Sequence, residues 1–347
     1  MSSLAEQFRE QLNKKDCVRD RNLARGRKNL RTFCNLRKPD FYKLEREYQD
    51  ILCNTLQAAY EKKLVNEKTG RPVKYLIINL PPGFGKSYTL ANFVNWVYGQ
   101  DVKNKVITVS YNGIIAPEFS RTAKDMILEE ETEGEECYTT RSFFPDLKIK
   151  YGDSSVMKWS LEGSYTSYLA TSFDGTLTGM RGNIIIIDDP IKSAEEAVND
   201  SVKEKHWNFF KNTLSSRMLP GALCIIVLTR WATDDLAGRV MEKFPDQCHE
   251  LKIPALTIDG PEGVSTCEDL YPTEDLQQKR QTLDEEIWGA NYMQVPVDKK
   301  GSLYGEFKTY DAIDPDRFEK MLNYTDTADE GADLLCSISG GQSGRDG

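Results

Sequence analysis

Histidine is scarce, with two in 347 residues, and none of the eight cysteines (17, 34, 53, 137, 224, 248, 267 and 336) falls in a C-x-x-C pair. This pattern disfavours a zinc cluster and is the one expected of reduced thiols in a cytosolic chain. Long apolar runs are missing too. Nothing approaches the roughly 18 residues that a membrane-spanning helix needs, and the polar opening MSSLAEQFRE has no secretory-signal character. No period of roughly 20–50 residues repeats, which excludes a solenoid. Positive charge is in deficit: 45 basic residues against 54 acidic give a net −9, so the whole molecule is no basic nucleic-acid coat. The sign is uneven, however. Between Lys14 and Lys38 ten basic residues face only Asp16 and Asp20, a local excess of eight. Such a run can bind a phosphate backbone or an acidic partner, or be a solvated helical arm.

What is present is a set of short apolar runs separated by helical patterns. Tyr75–Ile78, Lys105–Tyr111, Tyr165–Ser172, Asn183–Asp188 and Leu223–Thr229 read as strands, with a further short one at Met157–Trp159. Helical spacing is expected over residues 1–38, from a cap at Asp40 through Leu56, from Lys86 onward, and from Ala116 to Glu130. The glutamate-rich stretch 129–136 must be exposed. Strands alternating with helices imply right-handed crossovers and a mainly parallel sheet, with ligands at the carboxyl ends of its strands.

Two loops at such ends carry the chemistry. Pro81-Pro82-Gly83-Phe84-Gly85 leads from a strand into Lys86-Ser87, which opens a helix. In such a loop backbone N–H groups at the helix start face phosphates, Lys86 reaches the β/γ oxygens and the Ser87 hydroxyl ligates Mg²⁺. Tyr88, next in the helix, is a further expected nucleotide contact. The fit to G-x-x-x-x-G-K-[ST] is imperfect, because the first glycine falls on Leu80; a plain glycine turn with a solvated lysine is the alternative. The second loop is Asp188-Asp189-Pro190, at the tip of four isoleucines. Asp188 would hold Mg²⁺, and Asp189 would orient or deprotonate the attacking water. Hydrolysis also needs a cation on the transferring phosphoryl group. Arg181 is the leading candidate, with Arg121 and Arg230 behind it, and Thr229 is placed to sense the γ-phosphate.

The order of INLPPGFGKS, VITVSYN, FDGTLTGMRGNIIIIDDPIKSAEEA, LSSRMLPGALCIIVLTRWATDDLAGRV, LKIPAL, LYPTEDLQQKR and ANYMQVPV resembles the large terminase subunit of tailed bacteriophages, over roughly residues 45 to 335. The resemblance implies a P-loop ATPase of the additional-strand catalytic-glutamate type, with ATP and Mg²⁺ as cofactors. It also implies a ribonuclease-H-like nuclease domain after the ATPase. Residues 1–39 would then be a basic helical arm, 40–300 the ATPase, and 301–347 a linker and incomplete start of the nuclease. By position, Lys86 and Ser87 match the phosphate-loop pair, Asp188 the magnesium carboxylate, Asp189 the catalytic carboxylate, and Thr229 the segment coupling hydrolysis to movement. Gln49 falls near an expected adenine-contacting element. Arg181 matches an arginine that acts on a neighbouring subunit's nucleotide. Gly83-Phe84 stand where many relatives carry Arg-His, which removes an in-cis arginine. The implied setting is the cytoplasm of a bacterial host, with double-stranded DNA, a portal protein and a small terminase subunit as partners. The implied assembly is a homo-oligomeric ring on the procapsid, with no membrane. Asp326 matches a first nuclease metal carboxylate, with Asp333 a possible neighbour. Only 21 residues follow Asp326, ending in a turn-rich tail, so DNA cleavage is expected to be absent. A helicase-like DNA-dependent ATPase and a non-catalytic prophage remnant that binds nucleotide are the other readings.

Overall fold

Seven strands form one sheet in the order β3-β4-β2-β5-β6-β1-β7. Their ranges are Tyr75–Asn79 (β1), Val106–Ser110 (β2), Lys158–Trp159 (β3), Tyr168–Ser172 (β4), Gly182–Asp188 (β5), Met218–Leu228 (β6) and Cys248–Lys252 (β7). Every pairing is parallel except that of β3 with β4. The computed structural model describes the backbone of residues 4–113, 115–131, 138–175, 177, 179–191, 193–296, 320–326 and 336–342. Side chains are described for all of these except 4–15, 194, 320–326 and 336–342.

The central parallel strands β1, β2, β5 and the end of β6 read as unbroken apolar runs because both faces of the sheet are covered there, while the edge strand β7 is only half-buried. Successive residues point to opposite faces, so the isoleucines of β5 divide. Ile184 and Ile186 join Leu76, Ile78 and Val227 in one buried cluster, while Ile185 and Ile187 join Ile77, Ile107 and Ile226 in another. The first cluster is closed by the helices α2 (Leu30–Arg37), α3 (Glu47–Tyr60), α4 (Lys86–Gln100) and α5 (Ala116–Leu128). The second is closed by Phe209, Phe210 and Val240. The strand order puts β5 and β6 on one side of β1 and β7 on the other, so the phosphate loop has sheet on both flanks.

Two expectations are corrected. The helix expected from Asp40 starts at Glu47, and residues 39–46 form turns. Side chains hold these turns where helical bonds would otherwise be made. Arg46 donates to the Phe41 carbonyl at 2.9 Å and pairs with Asp269 at 2.9 Å, and Gln49 donates to the same carbonyl at 3.0 Å. The tail at Ser339–Gln342, expected to be turns, is extended. Lys320–Asp326 (β8) pairs antiparallel with Cys336–Gln342 (β9), in register from Lys320 with Gln342 to Asp326 with Cys336. Glycines tolerate extended backbone, and the facing strand supplies their hydrogen bonds. These two strands fall in a second unit, Lys300–Gly347, distinct from Met1–Lys299.

The basic run is partly structural. After α1 (Leu4–Lys28), Leu30, Phe33 and Cys34 of α2 enter the first core cluster. Arg31 is buried, bonding Asp50 and the carbonyls of Tyr42 and Lys43. Arg37 is buried against Asn92 and Glu129, and Arg27 donates to the Phe143 carbonyl at 2.6 Å. Exposed on α1 are Arg21, Arg25 and Lys28, at helical spacing on one face.

Candidate nucleotide site

Strand β1 ends on Asn79, and Leu80 is fully buried. The position that carries glycine in the usual phosphate loop is therefore occupied here by a core residue. The tight geometry comes instead from Gly83 and Gly85, with φ of +81° and +75°, a region that side chains other than glycine rarely adopt. Both are also crowded. A Cβ at Gly83 would lie 2.2 Å from Tyr271 Oη, and one at Gly85 would lie 2.3 Å from Phe41 Cζ. Between them Phe84 is fully buried, stacked on Tyr271 at 5.6 Å and edge-on to Tyr48 at 5.1 Å. Tyr48 Oη donates to the Phe84 carbonyl at 3.2 Å. Aromatic side chains from outside the loop thus fix its backbone.

Lys86 and Ser87 open α4, and β5 delivers Asp188 and Asp189 opposite them. Ser87 Oγ donates to Asp188 Oδ2 at 2.8 Å, and Lys86 Nζ lies 3.1 Å from the Asp189 carboxylate. Asp188 Oδ1 is buried and has no hydrogen-bond partner. Burial, and next the charge of Asp189, push the Asp188 carboxyl up to about 6. A buried carboxylate with an orphaned oxygen beside a hydroxyl is a donor set that a small hard cation satisfies. Among the described residues no group of three or more His, Cys, Asp or Glu could hold a metal. An ion here would therefore draw its remaining ligands from phosphate and water, as Mg²⁺ commonly does. Asp189 has φ +41°, a strained conformation for a non-glycine residue. It is held by its own N–H donating to the Val227 carbonyl at 2.9 Å.

A cavity of about 610 Å³ opens over this pair of loops, lined by Gly83, Gly85, Lys86, Ser87, Tyr88, Asp189 and Thr229. Those expected residues are brought together. Others are not. Gln49 does not line the cavity; it is 1% exposed, and its amide donates to Phe41 O and Tyr48 Oη at 3.0 and 3.2 Å. Arg181 is exposed and immediately precedes β5, at the end opposite Asp188. Seven strand residues put it roughly 20 Å from the carboxylates. Arg230 is buried and committed, to Asp235 at 2.8 Å and Glu250 at 3.1 Å. Arg121 is exposed on α5. Asp326 ends β8 in the second unit, and Asp333 lies outside the described residues.

The cavity also has walls that motif reading missed: Tyr111, Ile191, Trp231 and Asn291. The first three follow the carboxyl ends of β2, β5 and β6, where the strand rule could have found them. Asn291 had no such signal.

No protein-family profile matches the chain, and no curated protein does. Among solved structures, the chain is similar to the large terminase ATPase domain of Thermus phage P74-26 (12% identity, 67% of this chain, 93% of that one, TM-score 0.43). It is similar also to the large terminase of bacteriophage HK97 (12%, 69%, 50%, 0.44) and to that of the thermophilic bacteriophage D6E in complex with ADP (10%, 79%, 61%, 0.42). All three are bacteriophage large terminases. This chain spans half of the HK97 chain and 61% of the D6E chain. Overlap and identity this low leave function to be argued from the site.

Proposed function

We propose that this chain is the ATP-hydrolysing subunit of a viral DNA-packaging motor. The observation that carries the ATPase reading is the closure of two sequence-distant loops on one another, Ser87 on Asp188 at 2.8 Å and Lys86 on Asp189 at 3.1 Å. The sequence resemblance to large terminases supports the packaging role. In this reading the triphosphate lies over the loop between Gly83 and Gly85, with its oxygens toward the backbone amides at the start of α4. Bound Mg²⁺, held by Ser87 and Asp188, would neutralise charge on the β- and γ-phosphates.

The Lys86–Asp189 pair gives substrate a second role. A triphosphate that draws Lys86 to its oxygens weakens the Lys86 pair with Asp189, whose side chain is 43% exposed and is then free to orient and deprotonate water. Binding and base release are one event, so water is not activated before the triphosphate arrives. Thr229, at the end of β6, is placed to detect loss of the γ-phosphate.

Arg181 cannot reach the nucleotide of its own chain from the amino end of β5, so we assign it to the nucleotide of an adjacent copy in a ring. The β5–β6 register pairs Gly182 with Met218, which sets Arg217 beside Arg181 on the same edge. Double-stranded DNA, a portal protein and a small terminase subunit are the partners this role requires. The test is ATP turnover by purified protein with and without double-stranded DNA. Substituting Lys86→Ala should abolish turnover. Wild-type turnover that survives this change would remove the site from the mechanism.

A further inference from the structure

Asn291 is a residue that the proposed mechanism does not use. It lies in the π-helical turn Gly289–Met293, is 8% exposed, and lines the same cavity as Lys86 and Thr229. Its backbone is engaged: the carbonyl accepts from Gln294 Nε2 at 2.6 Å. The turn around it is pinned. Ala255 N donates to the Tyr292 carbonyl at 2.7 Å, Val295 N donates to Gly289 O at 2.8 Å, and Trp288 stacks on Tyr292 at 4.9 Å. The Asn291 carboxamide, by contrast, makes no hydrogen bond to any described residue. Its amide atoms are not among the buried polar atoms that lack a partner, so they open onto the cavity, where a ligand can bond them, and π-helical turns are frequent where a fold places a functional group.

The side from which it approaches limits what it can touch. The turn is tied to Ala255, just beyond β7, and β7 flanks β1 on the side away from β6 and β5. Asp188 and Asp189 stand on the β5 side. With the terminal phosphate at Asp189 and the inner phosphates over the start of α4, Asn291 would face the part of a nucleotide that extends to the β7 side of the cavity. Gln49, the expected base contact, has its amide hydrogens on protein oxygens and does not line the cavity.

We propose that Asn291 reads the nucleoside end of the bound nucleotide, its carboxamide donating to and accepting from a ribose hydroxyl or a base edge. This rests on the nucleotide-site assignment above. The test is calorimetric titration, with Mg²⁺, of wild type, Asn291→Ala and Asn291→Ser with ATP, ADP, 2′-deoxy-ATP and inorganic tripolyphosphate. Thermal melts of each variant establish that it folds, and Asn291→Ser keeps a small polar group if Asn291→Ala does not. The expected result is an affinity loss of about five- to tenfold, equal for ATP and ADP, with tripolyphosphate unchanged. If 2′-deoxy-ATP binds wild type weakly and is insensitive to the substitution, the contact is to the 2′-hydroxyl; if it loses affinity as ATP does, the contact is to the base or the 3′-hydroxyl. Unchanged ATP affinity, a loss confined to ATP, or an equal loss for tripolyphosphate overturns the role of Asn291 alone. A wild type that binds none of these ligands overturns the nucleotide site and this inference together.

Discussion

The chemistry at single residues turns on which groups are satisfied. Asp189 is held in a strained conformation with Lys86 as its partner, so its substitutions separate binding from turnover. Asp189→Asn should keep nucleotide affinity within about threefold and lower kcat by a factor of roughly 10² to 10⁴. Equilibrium binding and steady-state kinetics on one preparation check this, and unchanged turnover would remove Asp189 as the base. A different residue contributes to the acid sensitivity of the fold. His206 is 5% exposed with its ring 4.1 Å from that of Phe173, and burial, then the charge of Lys205, lowers its pKa from 6.5 to about 4. The folded state therefore favours neutral imidazole. Its contribution to stability is complete above pH 6.5 and declines as pH falls from 6.5 to 4, where the unfolded chain takes up the proton first. The loss is about 3 kcal/mol at most. Urea unfolding at pH 7 and pH 4.5 should show His206→Phe losing less stability on acidification than wild type; identical losses would contradict the assignment.

At the scale of elements, β1, β2, β5 and the end of β6 were legible because each is a β-branched run bounded by turn residues, and burial on both faces leaves no alternation to misread; β7 was not, because CHELK is half-buried and carries no apolar run. The loops at their carboxyl ends followed from that. The boundary of α3 was misplaced because Asp40 has the chemistry of a cap, while Arg46 and Gln49 reach back to the Phe41 carbonyl across residues that spacing alone cannot connect. Asn291 escaped for a similar reason, since a π-helical turn follows neither the helix nor the strand period. The clamp on the phosphate loop was equally invisible, because it comes from Phe41 and Tyr271, far from the loop in sequence. That clamp makes Gly85 intolerant of any side chain. Gly85→Ala must carry positive φ and displace Phe41, and nucleotide affinity should fall at least tenfold, measured by titration with ADP. Affinity equal to wild type would show that the loop does not need this geometry.

In the unit Met1–Lys299 the proposed chemistry is divided between opposite ends of one sheet. The carboxylates and the phosphate loop occupy the carboxyl end, and Arg181 and Arg217 the amino end. Among the described residues no arginine lines the cavity beside Lys86, and Arg230 is engaged by Asp235 and Glu250. Specific ATPase activity should rise with protein concentration. Arg181→Ala should cost about a thousandfold or more in turnover, and mixing it with Lys86→Ala protein should restore activity. Turnover independent of concentration, with no rescue on mixing, would place the missing cation elsewhere. The strand expected over Asn183–Asp188 already separated Arg181 from Asp188 in the sequence; the sheet adds the neighbour, through the pairing of Gly182 with Met218 beside Arg217.

In the proposed reaction a triphosphate and its metal ion lodge between Lys86 and the carboxylates at 188 and 189. Electron paramagnetic resonance of Mn²⁺, substituting for Mg²⁺ and titrated into the protein with ATP, tests it most directly. The expected result is one bound ion per chain in wild type and an affinity at least tenfold weaker in Asp188→Ala. An ion bound with equal affinity by both proteins would contradict it.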